Sequence, residues 1–185
     1  MRNNNFNKVS ITLISVLTAL CLAIQLTPRP PNVEFTSLFT FTVGFIFGSI
    51  VGGFFGGFVM FVNGFLSPWG FAGLNMPFQM AGMSLMGFAG GIYRKFAREF
   101  ASSNFLMEAP ILGAFLTTLY DLITNFGVAV LYYLTGTPFS LALLTALAYG
   151  TPFSIIHVLS NAAVFGTLLF PLIKSVNILI DGGNK

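Results

Sequence analysis

The chain is 55% hydrophobic and only 7% charged, so its chemistry rests on the few polar side chains set inside apolar runs. Such groups are costly at membrane depth and are functional candidates wherever they occur. Between residues 110 and 134, Thr117, Asp121, Thr124, Asn125 and Tyr132 share one face at helical spacing. Further on, Ser154, His157 and Asn161 follow i, i+3 and i+7. Asn75 and Gln79 stand one turn apart, Met83 and Met86 continue their face, and Asn63 lies near the end of another apolar segment. Two arrangements fit these residues. In one, Asp121, Asn125, His157 and Asn161 satisfy one another across helices, at about 0.6–2 kcal/mol per contact. In the other, they join Asn75 and Gln79 in lining a solvent-reachable pocket for a polar or aromatic ligand. Asp121, nearest mid-depth, also fits a structural hydrogen bond or a protonated acid.

The connecting segments add candidates with two readings each. Arg29 and Glu34 flank a Pro-Pro-Asn turn. Asn32 is placed to cap the following helix and Glu34 to sit in its first turn, where a carboxylate favours the helix dipole. Glu34 is therefore either a helix-end group or a ligand contact. The segment 67–75 holds the only tryptophan, Trp69. It reads as an interfacial aromatic anchor or as a ring that stacks on a ligand.

Other classes of chemistry lack their residues. With one histidine and one cysteine, Cys21, neither a two-histidine zinc motif nor a disulfide framework is available. The sequence has no G-x-S-x-G, no P-loop and no dinucleotide fingerprint. No cofactor or metal is expected, the chain does not hydrolyse ATP itself, and we expect no enzyme. An intramembrane hydrolase would need a nucleophile beside His157, with Ser154 and Ser160 the nearby serines. The net charge of +3 does not imply nucleic acid, because the basic residues sit at the edges of apolar segments, where they orient a membrane protein.

These side chains must be positioned by membrane helices of about 20 residues. The first runs from about Val9 to Leu26 and stops at Pro28-Arg29-Pro30-Pro31. Its apolar stretch is too long for a cleavable signal, and no small-residue cleavage site follows. The stretch Phe35–Leu66 would be about 48 Å long as one helix. Broken near Gly48–Gly53, it gives two short helices, and Arg2, Lys8, Arg94, Lys95, Arg98, Lys174 and Lys185 then all fall on the cytoplasmic side, with Arg29 alone outside. One long helix would put Arg94–Arg98 outside, against the positive-inside bias, so the break is preferred. The remaining spans are about Met76–Tyr93, Pro110–Leu134 and Pro152–Ile173. Ser140–Tyr149 is apolar but too short to span, which predicts a short extra helix in the outer connection. The pentapeptide Gly-Thr-Pro-Phe-Ser brackets it at Gly136–Ser140 and Gly150–Ser154 as twin turn signals. Gly44, Gly48, Gly52 and Gly56, with Gly53 and Gly57 alongside, predict close helix packing. The expected fold is an all-α membrane protein. It is one domain over residues 1–185, a compact bundle of six transmembrane helices with both termini cytoplasmic.

Six short helices, the Ala19-x-x-x-Ala23 pair, the proline-rich first loop leading to Asn32-Val33-Glu34, the glycine-stepped second turn and the polar faces around Asp121–Asn125 and His157–Asn161 together resemble a known family. It is that of the substrate-binding S components of energy-coupling factor (ECF) vitamin transporters. The resemblance covers essentially the whole chain. It implies a plasma-membrane subunit that binds a vitamin or related micronutrient in an outward-facing pocket and delivers it inside, with a transmembrane coupling protein and two cytoplasmic ATPase subunits as partners. It implies ligand contacts from Asn75, Gln79, Asn125, His157 and Asn161, with Arg29, Glu34 and Trp69 contributing, and makes Ala19 and Ala23 coupling-protein docking positions. Asn63 and Asp121 complete the candidate set. The competing expectation is a stand-alone secondary transporter of a small organic solute, whose mark would be internal pseudo-symmetry. No convincing repeat relates the first three helices to the last three.

Overall fold

The computed structural model describes residues 8–97 and 103–182, so the basic residues Arg2, Arg98 and Lys185 lie outside the described residues. The described residues form six α-helices: α1 (Lys8–Leu26), α2 (Thr36–Phe47), α3 (Ser49–Leu66), α4 (Met76–Phe96), α5 (Ser103–Leu134) and α6 (Phe139–Gly182). A single 3-10 turn, Gly73–Asn75, leads into α4. Four helices, α1, α3, α5 and α6, are long and apolar enough to cross a membrane. Helix α2, with 12 residues, is only about 18 Å long. Large apolar side chains such as Phe54, Phe58, Ile111 and Leu159 cover the outside of the bundle, as lipid contact requires.

Gly48 makes the break between α2 and α3. Its φ of 105° is a conformation that costs a glycine little and a residue with a Cβ much more. Its N–H closes α2 on the Gly44 carbonyl at 2.9 Å, and its own carbonyl accepts the Gly52 N–H at 3.0 Å, which starts α3. The glycine ladder then becomes backbone contact among three helices. A Cβ on Gly52 would strike the Gly44 backbone, one on Gly87 of α4 would strike Gly52, and one on Gly90 would strike the Phe41 carbonyl. Without side chains between them, α3 and α4 close around α2, all of whose residues are buried. Below the polar region the core is mostly apolar, with Phe41 against Phe165 at a ring separation of 5.5 Å.

Successive helices alternate in direction. Gln25 near the end of α1 meets Thr36 at the start of α2, while the Arg94 guanidinium near the end of α4 donates to the Phe45 and Ile46 carbonyls at the end of α2. Tyr93 donates to Glu108 near the start of α5, and α5 and α6 form a hairpin in which Phe126 and Tyr133 edge onto Phe139. The first and last described residues therefore fall at one end of the bundle, with Arg94.

Two elements differ from their sequence expectation. Helix α5 begins at Ser103, not at Pro110, which lies inside it. The expected extra helix, Ser140–Tyr149, is not separate: it is the first part of α6, which runs on through Pro152. Proline is tolerated within membrane helices because neighbouring side chains support the disturbed backbone. Here the Thr151 hydroxyl donates to the Leu147 carbonyl at 2.7 Å, next to the proline that supplies no N–H.

Candidate functional site

The centre of the site is His157 on α6. Its Nδ1 lies 2.7 Å from Asp121 Oδ1 on α5 and its Nε2 lies 3.3 Å from Glu34 Oε1, in the segment before α2. Both ring nitrogens lie against carboxyl oxygens, so the imidazole bridges the two acids. The chain joins three remote segments here, because α5 and α6 are antiparallel neighbours and α2 starts level with His157. All three side chains are buried. Tyr120 closes one side, its ring edge-on to the imidazole at 5.7 Å.

Glu34 is the most heavily bonded group. Its Oε2 accepts the Ser37 N–H at 3.0 Å, and its Oε1 accepts Asn161 Nδ2 at 2.9 Å. Burial alone would push the Glu34 carboxyl up, but His157, Ser37 and Asn161 outweigh it and hold the group at about 2. Asn32 was expected to cap α2. Instead it sits in the turn at φ 60° with its carbonyl accepting the Ser160 hydroxyl at 3.1 Å. Glu34 caps α2 through the Ser37 N–H, from just ahead of the helix and not from within its first turn.

A cavity of about 430 Å³ opens above this cluster. Nine of the ten candidate residues line it: Arg29, Glu34, Asn63, Trp69, Asn75, Gln79, Asp121, Asn125 and His157. Asn161 does not; it is fully buried behind Glu34, which it helps to hold. Trp69 is 61% exposed, on the 67–75 loop that forms part of the rim. Glycines make room for two carboxamides, since a Cβ on Gly127 would strike Asn75 Oδ1 and one on Gly150 would strike Asn125 Oδ1. Asp121 fits both sequence arrangements at once: Oδ1 is bound to His157, whereas Oδ2 is buried with no hydrogen-bond donor in the protein.

Gln25, Tyr120 and Met60 also line the cavity and were not among the candidates. Gln25 sits near the end of α1, where its Oε1 accepts both the Thr36 hydroxyl at 2.8 Å and Arg29 Nη2 at 2.6 Å. A glutamine within an apolar span just ahead of the proline cluster was its signal. Tyr120 adjoins Asp121 in sequence and shares its level. Ala19 and Ala23 lie apart from the cavity, both exposed on α1.

Helices with apolar spans throughout the described residues, and a polar cavity inside their bundle, define a multi-pass membrane protein of the transport class. The chain belongs to the substrate-specific components of ECF transporters: the family model described as "ECF transporter, substrate-specific component" matches residues 9–172. Searches among curated proteins and among solved structures gave no significant match. The family is one of transporter subunits and not of enzymes. Its members bind a small-molecule substrate and work with a transmembrane coupling protein and ATPases.

Proposed function

We propose that the 430 Å³ cavity is the substrate site of this subunit, that it opens outward, and that it takes a vitamin or related micronutrient for delivery to the cytoplasm. The observation that carries this is a cavity lined by many polar side chains, within the size range of small-molecule sites, built into a bundle whose other interior is mostly apolar. Asn63, Trp69, Asn75, Gln79, Asp121 and Asn125 face the ligand, with Arg29, Glu34 and His157 forming one wall and Asn161 supporting Glu34. Lys8, Arg94, Lys95 and Lys174 belong to the end of the bundle opposite Arg29. The positive-inside bias makes that end cytoplasmic and turns the cavity mouth outward, with both termini inside.

Delivery requires a coupling protein and two ATPase subunits, since the sequence carries no P-loop. Ala19 and Ala23 expose small side chains on α1, where another helix can approach closely. We assign them to coupling-protein docking. The test is reconstitution of the full chain with coupling and ATPase subunits in liposomes, followed by ATP-dependent uptake from a panel of labelled water-soluble vitamins. Uptake of one member that is lost with a catalytically dead ATPase is the expected result. Uptake that persists without the ATPases would overturn the subunit role. Ala19→Leu combined with Ala23→Leu should abolish copurification with the coupling protein while leaving ligand binding intact, and unchanged copurification would remove the docking assignment.

A further inference from the structure

A second cavity, of about 400 Å³, lies between α5 and α6 on the outside of the bundle. Leu122, Leu147, Ile155, Val158 and Leu159 line it, and Leu122, Ile155 and Leu159 are exposed. Its two threonines add little polarity. The Thr118 hydroxyl donates to the Ala114 carbonyl at 2.9 Å and the Thr151 hydroxyl to the Leu147 carbonyl at 2.7 Å. Each is spent within its own helix, so the groove offers methyls and aliphatic side chains to the surrounding hydrocarbon.

Three residues belong to this groove and to the polar cavity alike: Asp121, Asn125 and Ser154. The wall between the polar cavity and the membrane is therefore one side chain thick. Asp121 is held from the inner side by His157, and Asn125 rests beside Gly150. On the outer side the same wall meets whatever fills the groove.

The shape of the groove narrows the choice of occupant. Along α6 it runs from Leu147 to Leu159, about 18 Å at the helical rise. One leaflet of a bilayer supplies about 15 Å of hydrocarbon, half of the whole core. His157 lies within this stretch and level with the start of α2, so the groove occupies the half of the span that holds the polar cavity. A helix of the same length would fill about 1,400–2,000 Å³, several times the volume available. A single extended chain running along α6 is the better fit.

We propose that the groove seats one acyl chain of a phospholipid, and that the seated chain backs the cavity wall formed by Asp121, Asn125 and Ser154. On the outward opening proposed above, the lipid belongs to the outer leaflet. The substrate site then has a wall whose far side is membrane lipid.

The experiment uses the full chain in phosphatidylcholine–phosphatidylglycerol liposomes that carry a trace of phospholipid with a diazirine in its acyl chain. After photolysis, labelled residues are located by peptide mass spectrometry. Leu122, Leu147 and Leu159 should carry about fivefold more label than Ile11, Val16 and Leu20, which are exposed on α1; that enrichment corresponds to about 1 kcal/mol of preference. Thr118→Phe and, separately, Thr151→Phe fill the groove and should bring its label down to the α1 level. Thermal melting establishes that each variant is folded. Groove labelling equal to that on α1, or unchanged in both folded variants, means general lipid contact only and overturns the seat. Protection of the groove together with dimers in native mass spectra would assign it to a second copy of the chain and overturn it too. The readout needs no substrate, so its failure leaves the polar cavity as the substrate site.

Discussion

Gly150 on α6 lies so close to the Asn125 carboxamide on α5 that a Cβ at position 150 would stand 2.8 Å from Asn125 Cγ. The glycine is part of the site without offering it a side chain, because its missing Cβ is the space in which the carboxamide rests. The side chain can swing aside, so Gly150→Ala should cost little stability. It should weaken substrate binding about threefold to tenfold by moving a polar lining group. Equilibrium binding beside a thermal melt checks this, and equal affinity would show that Asn125 does not contact the substrate.

The glycines at the centre of the bundle should behave differently. At Gly87 a Cβ meets the backbone of Gly52 and Gly53, which cannot swing away. Gly87→Ala should therefore destabilise the protein by about 1–3 kcal/mol or more, read as a lowered melting temperature in detergent. Gly70→Ala, where a Cβ would meet open space but φ is +101°, should cost only the backbone strain of about 1–2 kcal/mol.

His157 separates two buried carboxylates. His157→Ala would leave Glu34 and Asp121 without their shared partner, at a cost of about 3–5 kcal/mol. Adding Glu34→Gln and Asp121→Asn to that variant should recover much of the stability while leaving binding impaired. Denaturant titration of the single and triple variants measures the recovery.

Glu34 sets an acid limit. Its carboxyl is held at about 2 against an ordinary value of 4.5. A depressed folded value means that its contribution is complete above about pH 4.5 and is lost as pH falls through about 2. Glu34 should therefore leave stability flat between pH 5 and 7, with its loss confined to stronger acid. A series of melting temperatures against pH, compared with Glu34→Gln, should show the acid limb diminished in the variant.

The helices and most lining residues were legible because their signals are local. The glycine break was set by charge bias and seen again as the positive φ of Gly48. The spacing of Asp121 and His157 placed each on a polar face. The pairing of Asp121 with His157 was one of the two arrangements the spacing allowed, but the arrival of Glu34 beside them was not legible, since it depends on how deep α2 begins. The twin Gly-Thr-Pro-Phe-Ser segments show why local signals run out. The first makes the hairpin turn, with Gly136 at φ 98°, while the second continues inside α6. The Gly-Thr-Pro of the two copies takes two conformations, and the second packs along α5, with Gly150 against Asn125.

Helix α2 is the shortest α-helix of the six, and the segment just ahead of its amino end lines the cavity through Glu34. At about 18 Å it fills little more than half of a hydrocarbon layer about 30 Å thick. On the proposed substrate site, the missing turns leave the volume that a cargo would occupy. A bound molecule would already have descended roughly 10 Å below the outer boundary before any ATP is spent. On the proposed outward opening, the work left to the motor would be to uncover the remaining half of the path, and not to draw the cargo out of water.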